Sequence, residues 1–265
     1  MDIADDCIKE LRAWFRRKEE AGASRQFDAF ESLEGGAPVL QNLDGNRKNP
    51  TIIFKEDTRL ELGHPSVGSC SAALATHDAS LVEDGLITIV GPDVGETEQK
   101  VLPFAQIAVV GCEGTIEDTC AAMDRALHAG AQTDGYMLRS VPDLIWARVS
   151  KEAAESGFSL RGLGLRLIAS LRDECEGIVK CEMFFVTSSR EDVSELRAIV
   201  DPTRVRLRKL RTFGRKDDGT YECDTSLDCN ECPEKPVCDT IRDVITIRKG
   251  DRIITIGGDD DDGAS

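Results

Sequence analysis

Along residues 3 to 20 the apolar side chains Ile8, Leu11 and Phe15 recur three and four positions apart among Lys, Arg and Glu, which turns one face of an α-helix toward a core. The next stretch, GASRQFDAFESLEGGAPVLQNLDGNRKNP over 22–50, loses this period, is rich in Gly, Asn and polar residues, and reads as a linker. From TIIFKEDTRLEL onward short β-rich runs take over: GLITIVG, QIAVVGC, DLIWARVS and IVKCEMFFVTS, the last being the strongest strand candidate. Helical spacing returns between them. TIED at Thr115 makes a capping-box-like opening to a helix with Cys120, Met123 and Leu127 on one face, LRGLGLRLIASLRDEC reads as a second helix, and SREDVSELRAIV as a third. The order β, β, α, β, α, β, α predicts an α+β fold, a mixed β-sheet with helices packed largely on one face as a two-layer sandwich.

Beyond residue 201 the pattern changes. PTRVRLRKLRTFGRK, 202–216, holds seven basic residues, Arg204, Arg206, Arg208, Lys209, Arg211, Arg215 and Lys216, and its alternation predicts a strand with one basic face or an exposed arm. It is followed by YECDTSLDCNECPEKPVCDTIRD, 221–243, and by VITIRKGDRIITIG, which reads as a hairpin turning at Lys249, Gly250 and Asp251. The tail GGDDDDGAS has nothing substantial to bury and reads as solvated, disordered chain. The predicted organisation is therefore an N-terminal helix and linker over 1–50, an α+β domain over 51–200, a basic segment, four-cysteine knuckle and hairpin over 201–258, and an acidic tail over 259–265.

Composition narrows the function classes. A formal charge of −16 on 265 residues argues against general binding to nucleic acid or an anionic membrane, since both surfaces repel such a chain. No run approaches the roughly 18 apolar residues that a bilayer span needs. MDIADDCIKELRAWF opens on acids and lacks the apolar stretch of a secretory signal, so the expected location is cytoplasmic, where thiols stay reduced. There, a tight cysteine cluster points to metal rather than to disulfide.

Four of the ten cysteines, Cys223, Cys229, Cys232 and Cys238, fall within sixteen residues as C-x5-C-x2-C-x5-C. The central C-x-x-C lets two thiolates face one metal centre and is common to zinc and iron–sulfur sites. Zinc knuckles usually bring two short arms and a longer spacer, whereas both outer arms here are x5 and Pro233 and Pro236 stiffen the loop. Spacing alone leaves a [4Fe-4S] cluster and Zn2+ both open. Cys70, Cys112, Cys120, Cys175 and Cys181 lie in apolar contexts and read as small hydrophobes. His64, His77 and His128 share no ligand-like spacing, and no Ser/His/Asp order, Walker loop or GxGxxG fingerprint supports acyl-enzyme, nucleotidyl or hydride chemistry.

Three stretches carry a family resemblance: LVEDGLITIVGPDVGETEQKVLPFAQIAVVG, IEDTCAAMDRALHAGAQTDGYML and LIWARVSKEAAESGFSLRGLGLRLIASLRDECEGIVKCEMFFVT. From about Lys55 to about Thr187 the chain resembles, in order and spacing, the middle domain of acetyl-CoA synthase, the β subunit of the carbon monoxide dehydrogenase/acetyl-CoA synthase complex, with GPDVG and WARVSKEAAESGF the most specific pieces. In that family the next domain bears a [4Fe-4S] cubane bridged through a cysteine to a binuclear nickel centre. The resemblance implies that Cys229 and Cys232 match the first C-x-x-C of the cluster loop, that Cys238 matches its third cysteine, and that Cys223 substitutes for the fourth ligand, which favours the cubane over zinc. The family's nickel-binding Cys-Gly-Cys does not occur here and no cysteine follows Cys238. The chain thus resembles a middle domain with a rewired start of the next one, and the expected role is not that of a self-sufficient acetyl-CoA synthase. It is an accessory or electron-transfer protein of anaerobic one-carbon and acetyl-CoA metabolism, the Wood-Ljungdahl pathway, working with a redox or corrinoid protein or with subunits of a similar complex. Two alternatives stand beside it: a share in acetyl-CoA synthesis with metal ligands from a partner chain, and a zinc-stabilised interaction module.

The family's middle domain is also associated with coenzyme A through a tryptophan and several arginines. That tryptophan is replaced here by Met137, while Trp146 and Arg148 are retained. Arg139, Arg148, Arg161 and Arg166 are guanidinium groups suited to phosphates; the alternative is that they are solvated charges around a core Trp146. The basic run invites docking of an acidic partner such as a ferredoxin or corrinoid protein, or else balances the chain's own acids.

Overall fold

The computed structural model describes residues 2–30, 52–141 and 144–211, and those described up to Leu210 gather into one compact unit. The four-cysteine knuckle, the hairpin and the acidic tail lie outside the described residues. Two long strands form the centre. β6 (Phe104–Cys112) is buried along its whole length and pairs antiparallel with β9 (Ile178–Val186), which is buried over its last six residues. β4 (Leu86–Val90) runs parallel to β9, and β3 (Ser69–Thr76) runs parallel to β6 along its full length. The edge strand β1 (Ser24–Asp28) closes the order β1-β4-β9-β6-β3 by pairing antiparallel with β4. β1 corrects the reading of that stretch as linker: a short edge strand with one aromatic residue, Phe27, carries no alternation to detect.

A second sheet, β5-β2-β8-β7, is built from β2 (Thr58–Leu62), β5 (Val101–Leu102), β7 (Tyr136–Val141) and β8 (Leu144–Ser150). The short helix α3 (Lys151–Glu155) follows β8 directly, with the Ser150 hydroxyl accepting from Ala153 N–H at 3.0 Å.

Helices cover both faces of the larger sheet. On β9, Phe184 stacks on Phe15 of α1 (Asp5–Glu20) with centroids 4.3 Å apart, while its neighbour Phe185 lies against Gly164 of α4 (Leu160–Glu174). Successive strand residues point to opposite faces, so α1 and α4 lie on opposite sides. α5 (Arg190–Arg211) joins α1, where Trp14 Nε1 donates to Glu195 at 2.8 Å and Lys18 Nζ to Asp192 at 2.6 Å. α2 (Ile116–Gly130) joins α4 through Ser170, whose hydroxyl donates to the Ala126 carbonyl at 2.8 Å. The α+β class holds, but one sheet with helices on one face becomes two sheets with helices on both faces of the larger. The reason lies in β6 and β9, which carry buried side chains on both faces of the sheet and so leave two faces to be covered.

Polar contacts lock these layers. The Asp93 carboxylate in GPDVG accepts from Val94 N–H at 2.6 Å and from Leu160 N–H at 2.8 Å, so it ties the loop after β4 to the start of α4. Gly91 precedes it at φ 100°, and a Cβ there would meet Ser188 N at 2.4 Å, which reserves the position for glycine. On the opposite face Arg12 Nη2 reaches both oxygens of Glu182, at 2.7 and 2.9 Å, and its Nη1 reaches Glu83 at 2.9 Å. Burial pushes the Glu182 carboxyl up to about 7, against the pull of the Arg12 guanidinium.

Candidate functional site

On β8 the inward residues Ile145, Ala147 and Val149 are buried, which leaves Trp146 and Arg148 on the outer face. Trp146 is half-buried. The Arg148 guanidinium lies 4.9 Å from its ring centroid, and the His64 imidazole meets it edge-on at 6.1 Å. Arg148 Nε donates to Glu61 at 2.9 Å and Nη1 to the Ile53 carbonyl at 3.1 Å, and Glu61 faces Arg148 directly across the β2–β8 ladder. In the β7–β8 ladder Met137 pairs with Arg148 and Arg139 with Trp146. Three of the residues expected to serve coenzyme A, Arg139, Trp146 and Arg148, therefore share one sheet.

Arg161 and Arg166 belong to α4 instead, where Arg161 packs its guanidinium 5.0 Å over the ring of Phe27 on β1. The platform also includes two residues that sequence reasoning missed, Glu61 and His64. Opposite charges on β2 and β8 hinted at the first, but only the strand register makes them partners.

The basic run is helix as far as Arg211, which corrects the expected strand or arm. Val200, Thr203 and Leu207 are buried at three- and four-residue spacing, and this packing overrides the local alternation. Arg204 turns inward: its side chain is 11% exposed and its Nη1 lies 3.1 Å from Asp201. Arg206 is exposed. Arg208, Lys209 and Arg211 continue along the helix, and Arg215 and Lys216 lie outside the described residues.

Cys7, Cys70, Cys112, Cys120, Cys175 and Cys181 are buried as free thiols. Burial pushes the Cys70 thiol to about 12 and the Cys181 thiol to about 11, so neither is poised to ionise. Among the described residues no group of three or more His, Cys, Asp or Glu is arranged to hold a metal ion. The clustered cysteines Cys223, Cys229, Cys232 and Cys238 remain the candidate ligands.

Taken together, the described residues form an α+β domain whose polar and aromatic platform sits on the smaller of two sheets. Residues 46–193 match the family model described as the CO dehydrogenase/acetyl-CoA synthase complex beta subunit, and the chain belongs to that family. The acetyl-CoA decarbonylase/synthase complex subunit beta of Methanothermobacter thermautotrophicus is 32% identical over 161 residues, which cover 59% of this chain and 34% of that protein. The corresponding subunit of Methanopyrus kandleri is 27% identical over 164 residues, 61% of this chain and 35% of the relative. Subunit beta 1 of Methanosarcina thermophila is 28% identical over 183 residues, 68% of this chain and 38% of the relative. The chain thus spans about a third of the length of the curated relatives it matches. The matched segment contains the Trp146 platform, whereas the basic run and the cysteine knuckle lie beyond it.

Proposed function

We propose that this chain is an accessory, electron-transferring member of the family, holding one [4Fe-4S] cluster on Cys223, Cys229, Cys232 and Cys238 and docking with subunits of a complex like the one its relatives are named for. The observation that carries this reading is the C-x5-C-x2-C-x5-C run just beyond a domain that belongs to the family. Four thiolates are the donor set of a cubane, one per iron. When bound, such a cluster supplies one-electron redox chemistry. The chain's own residues supply its ligands and, through Arg206 and the basic residues that follow it, a surface that attracts an acidic redox or corrinoid partner in the cytoplasm.

The Trp146 platform has a stacking surface and a guanidinium suited to coenzyme A, but a phosphate there must displace Glu61 from Arg148. Metal analysis and a visible spectrum of anaerobically purified protein test the proposal. About four irons with acid-labile sulfide per chain and a brown colour are expected, and Cys229→Ser should lower the iron content. Unchanged iron in that variant removes the ligand assignment. One zinc per chain without visible absorption overturns the cluster in favour of a zinc module, and stoichiometric nickel bound only with a partner chain points to a direct share in acetyl-CoA chemistry.

A further inference from the structure

Away from the platform and the knuckle, one side chain joins three parts of the fold. His77, just after β3, places Nδ1 3.0 Å from Asp2 Oδ2 in the turn ahead of α1. Its Nε2 lies 2.8 Å from the Gly114 carbonyl oxygen in the loop between β6 and α2. The corner is reinforced around it: Asp2 Oδ2 also accepts the His77 backbone N–H at 2.7 Å, Asp5 N–H donates to the Asp2 carbonyl at 3.2 Å, and the Thr76 hydroxyl donates to Asp5 Oδ1 at 2.7 Å. These contacts border a cleft of about 510 Å³ lined by Asp2, Ile3, His77, Glu113, Thr115 and Ile116.

A neutral imidazole has one N–H and one lone pair. Both ring nitrogens of His77 face acceptors, a carboxylate and a carbonyl, so a neutral ring sets a lone pair against one oxygen. The imidazolium, with two donors, satisfies both. The surrounding charge favours it as well. Asp2, Asp5 and Glu113 lie around the ring, and Asp78 follows it in the chain, with Lys9 as the cation acting on Asp78. The Cys112 thiol shares the Gly114 carbonyl at 3.9 Å, and burial pushes that thiol up. Bonding to Gly114 and then to Asp2 raises His77 above its ordinary range, while bonding from the His77 backbone lowers Asp2.

We propose that His77 is a proton-operated latch that, when protonated, ties the turn ahead of α1 to the β6–α2 loop and, when neutral, lets this corner open. A histidine that binds its proton more tightly in the folded chain contributes stability below its ordinary range and loses it as pH rises through the higher folded midpoint. Opening is local, because Arg12–Glu182 and Trp14–Glu195 hold the body of α1 against the sheet and α5.

The test is an NMR titration of the His77 ring in the full chain, with hydrogen exchange of the Asp5 and His77 amides normalised to intrinsic rates. The midpoint should exceed that of histidine in an unstructured peptide, and Asp2→Asn should lower it while the Gly114 contact keeps part of the elevation. Protection of the two amides should fall several-fold as pH crosses the midpoint. In His77→Gln, the Asp5 amide should lose this pH dependence. A wild-type midpoint at or below the peptide value overturns the latch, as does an equal loss of Asp5 protection in wild type and His77→Gln. Should the glutamine variant fold poorly, an unchanged midpoint in Asp2→Asn overturns it independently.

Discussion

Arg12→Met isolates the buried charge beneath α1. The Glu182 side chain is 1% exposed and that of Arg12 23%, so the variant keeps much of the apolar stem but leaves the carboxyl with the Glu83 N–H, 3.3 Å away, as its remaining donor. With Arg12 in place the carboxyl titrates near 7 because desolvation outweighs the guanidinium. Its proton therefore adds stability below the ordinary glutamate range, and that contribution is lost as pH rises through about 7. At about pH 8.5 wild type favours the ionised pair by about 2 kcal/mol over its own neutral form, at about 1.4 kcal/mol per pH unit above the midpoint.

The variant cannot use that pair and holds Glu182 neutral, so it forfeits this amount. It also forfeits about 1–2 kcal/mol from the Arg12 hydrogen bond to the Leu81 carbonyl and the packing around it. The total, about 3–4 kcal/mol, agrees with the about 3–5 kcal/mol typical of breaking a buried pair. At about pH 5.5 the carboxyl is neutral in both proteins and only about 1–2 kcal/mol should remain. Urea unfolding followed by tryptophan fluorescence, with Trp14 buried on the same helix, measures the loss at each pH. A penalty independent of pH, or below about 1 kcal/mol at the higher pH, refutes the reasoning. Measured against Glu182→Gln alone, adding Arg12→Met should cost an amount that does not vary with pH, because the titrating carboxyl is then absent from both proteins.

Asp93→Ala removes the shared acceptor of Val94 and Leu160 N–H and should cost about 2–3 kcal/mol in urea unfolding, while Asp93→Asn, which keeps an oxygen, should lose less; equal losses would show that the cap is not the cause. Gly164→Ala reverses the usual sign of a mid-helix glycine replacement, which stabilises by about 1 kcal/mol, because the new Cβ meets Ile87 Cγ2 at 3.0 Å and Phe185 Cε2 at 3.1 Å. Overpacking should cost about 1–3 kcal/mol and lower Tm, and a higher Tm would show that α4 shifts freely on the sheet.

Family membership was legible in one-dimensional signals, and the structure brings two of them together. GPDVG and the segment ending in ESGFS meet where Asp93 caps Leu160. Local periodicity also placed α1, whose Ile8, Leu11 and Phe15 are buried, and capping chemistry placed α2 behind Thr115. β3 escaped notice because SCSAALAT is small rather than β-branched, and its strand character comes from eight parallel pairs with β6. The Trp146 platform was partly visible as residue types. Its pairing with Glu61 and His64 depends on the β2–β8 register, which joins positions more than eighty residues apart.

The amino-acid sequence by itself determined the helical and strand periods, the family and the fourfold cysteine spacing, because each depends on neighbours within a few turns or residues. Tertiary structure decided what covers each sheet face, which acceptors surround His77 and which guanidinium meets Glu182. Those outcomes are set by contacts between distant segments, where burial strengthens charge and hydrogen bonding far beyond what local sequence encodes.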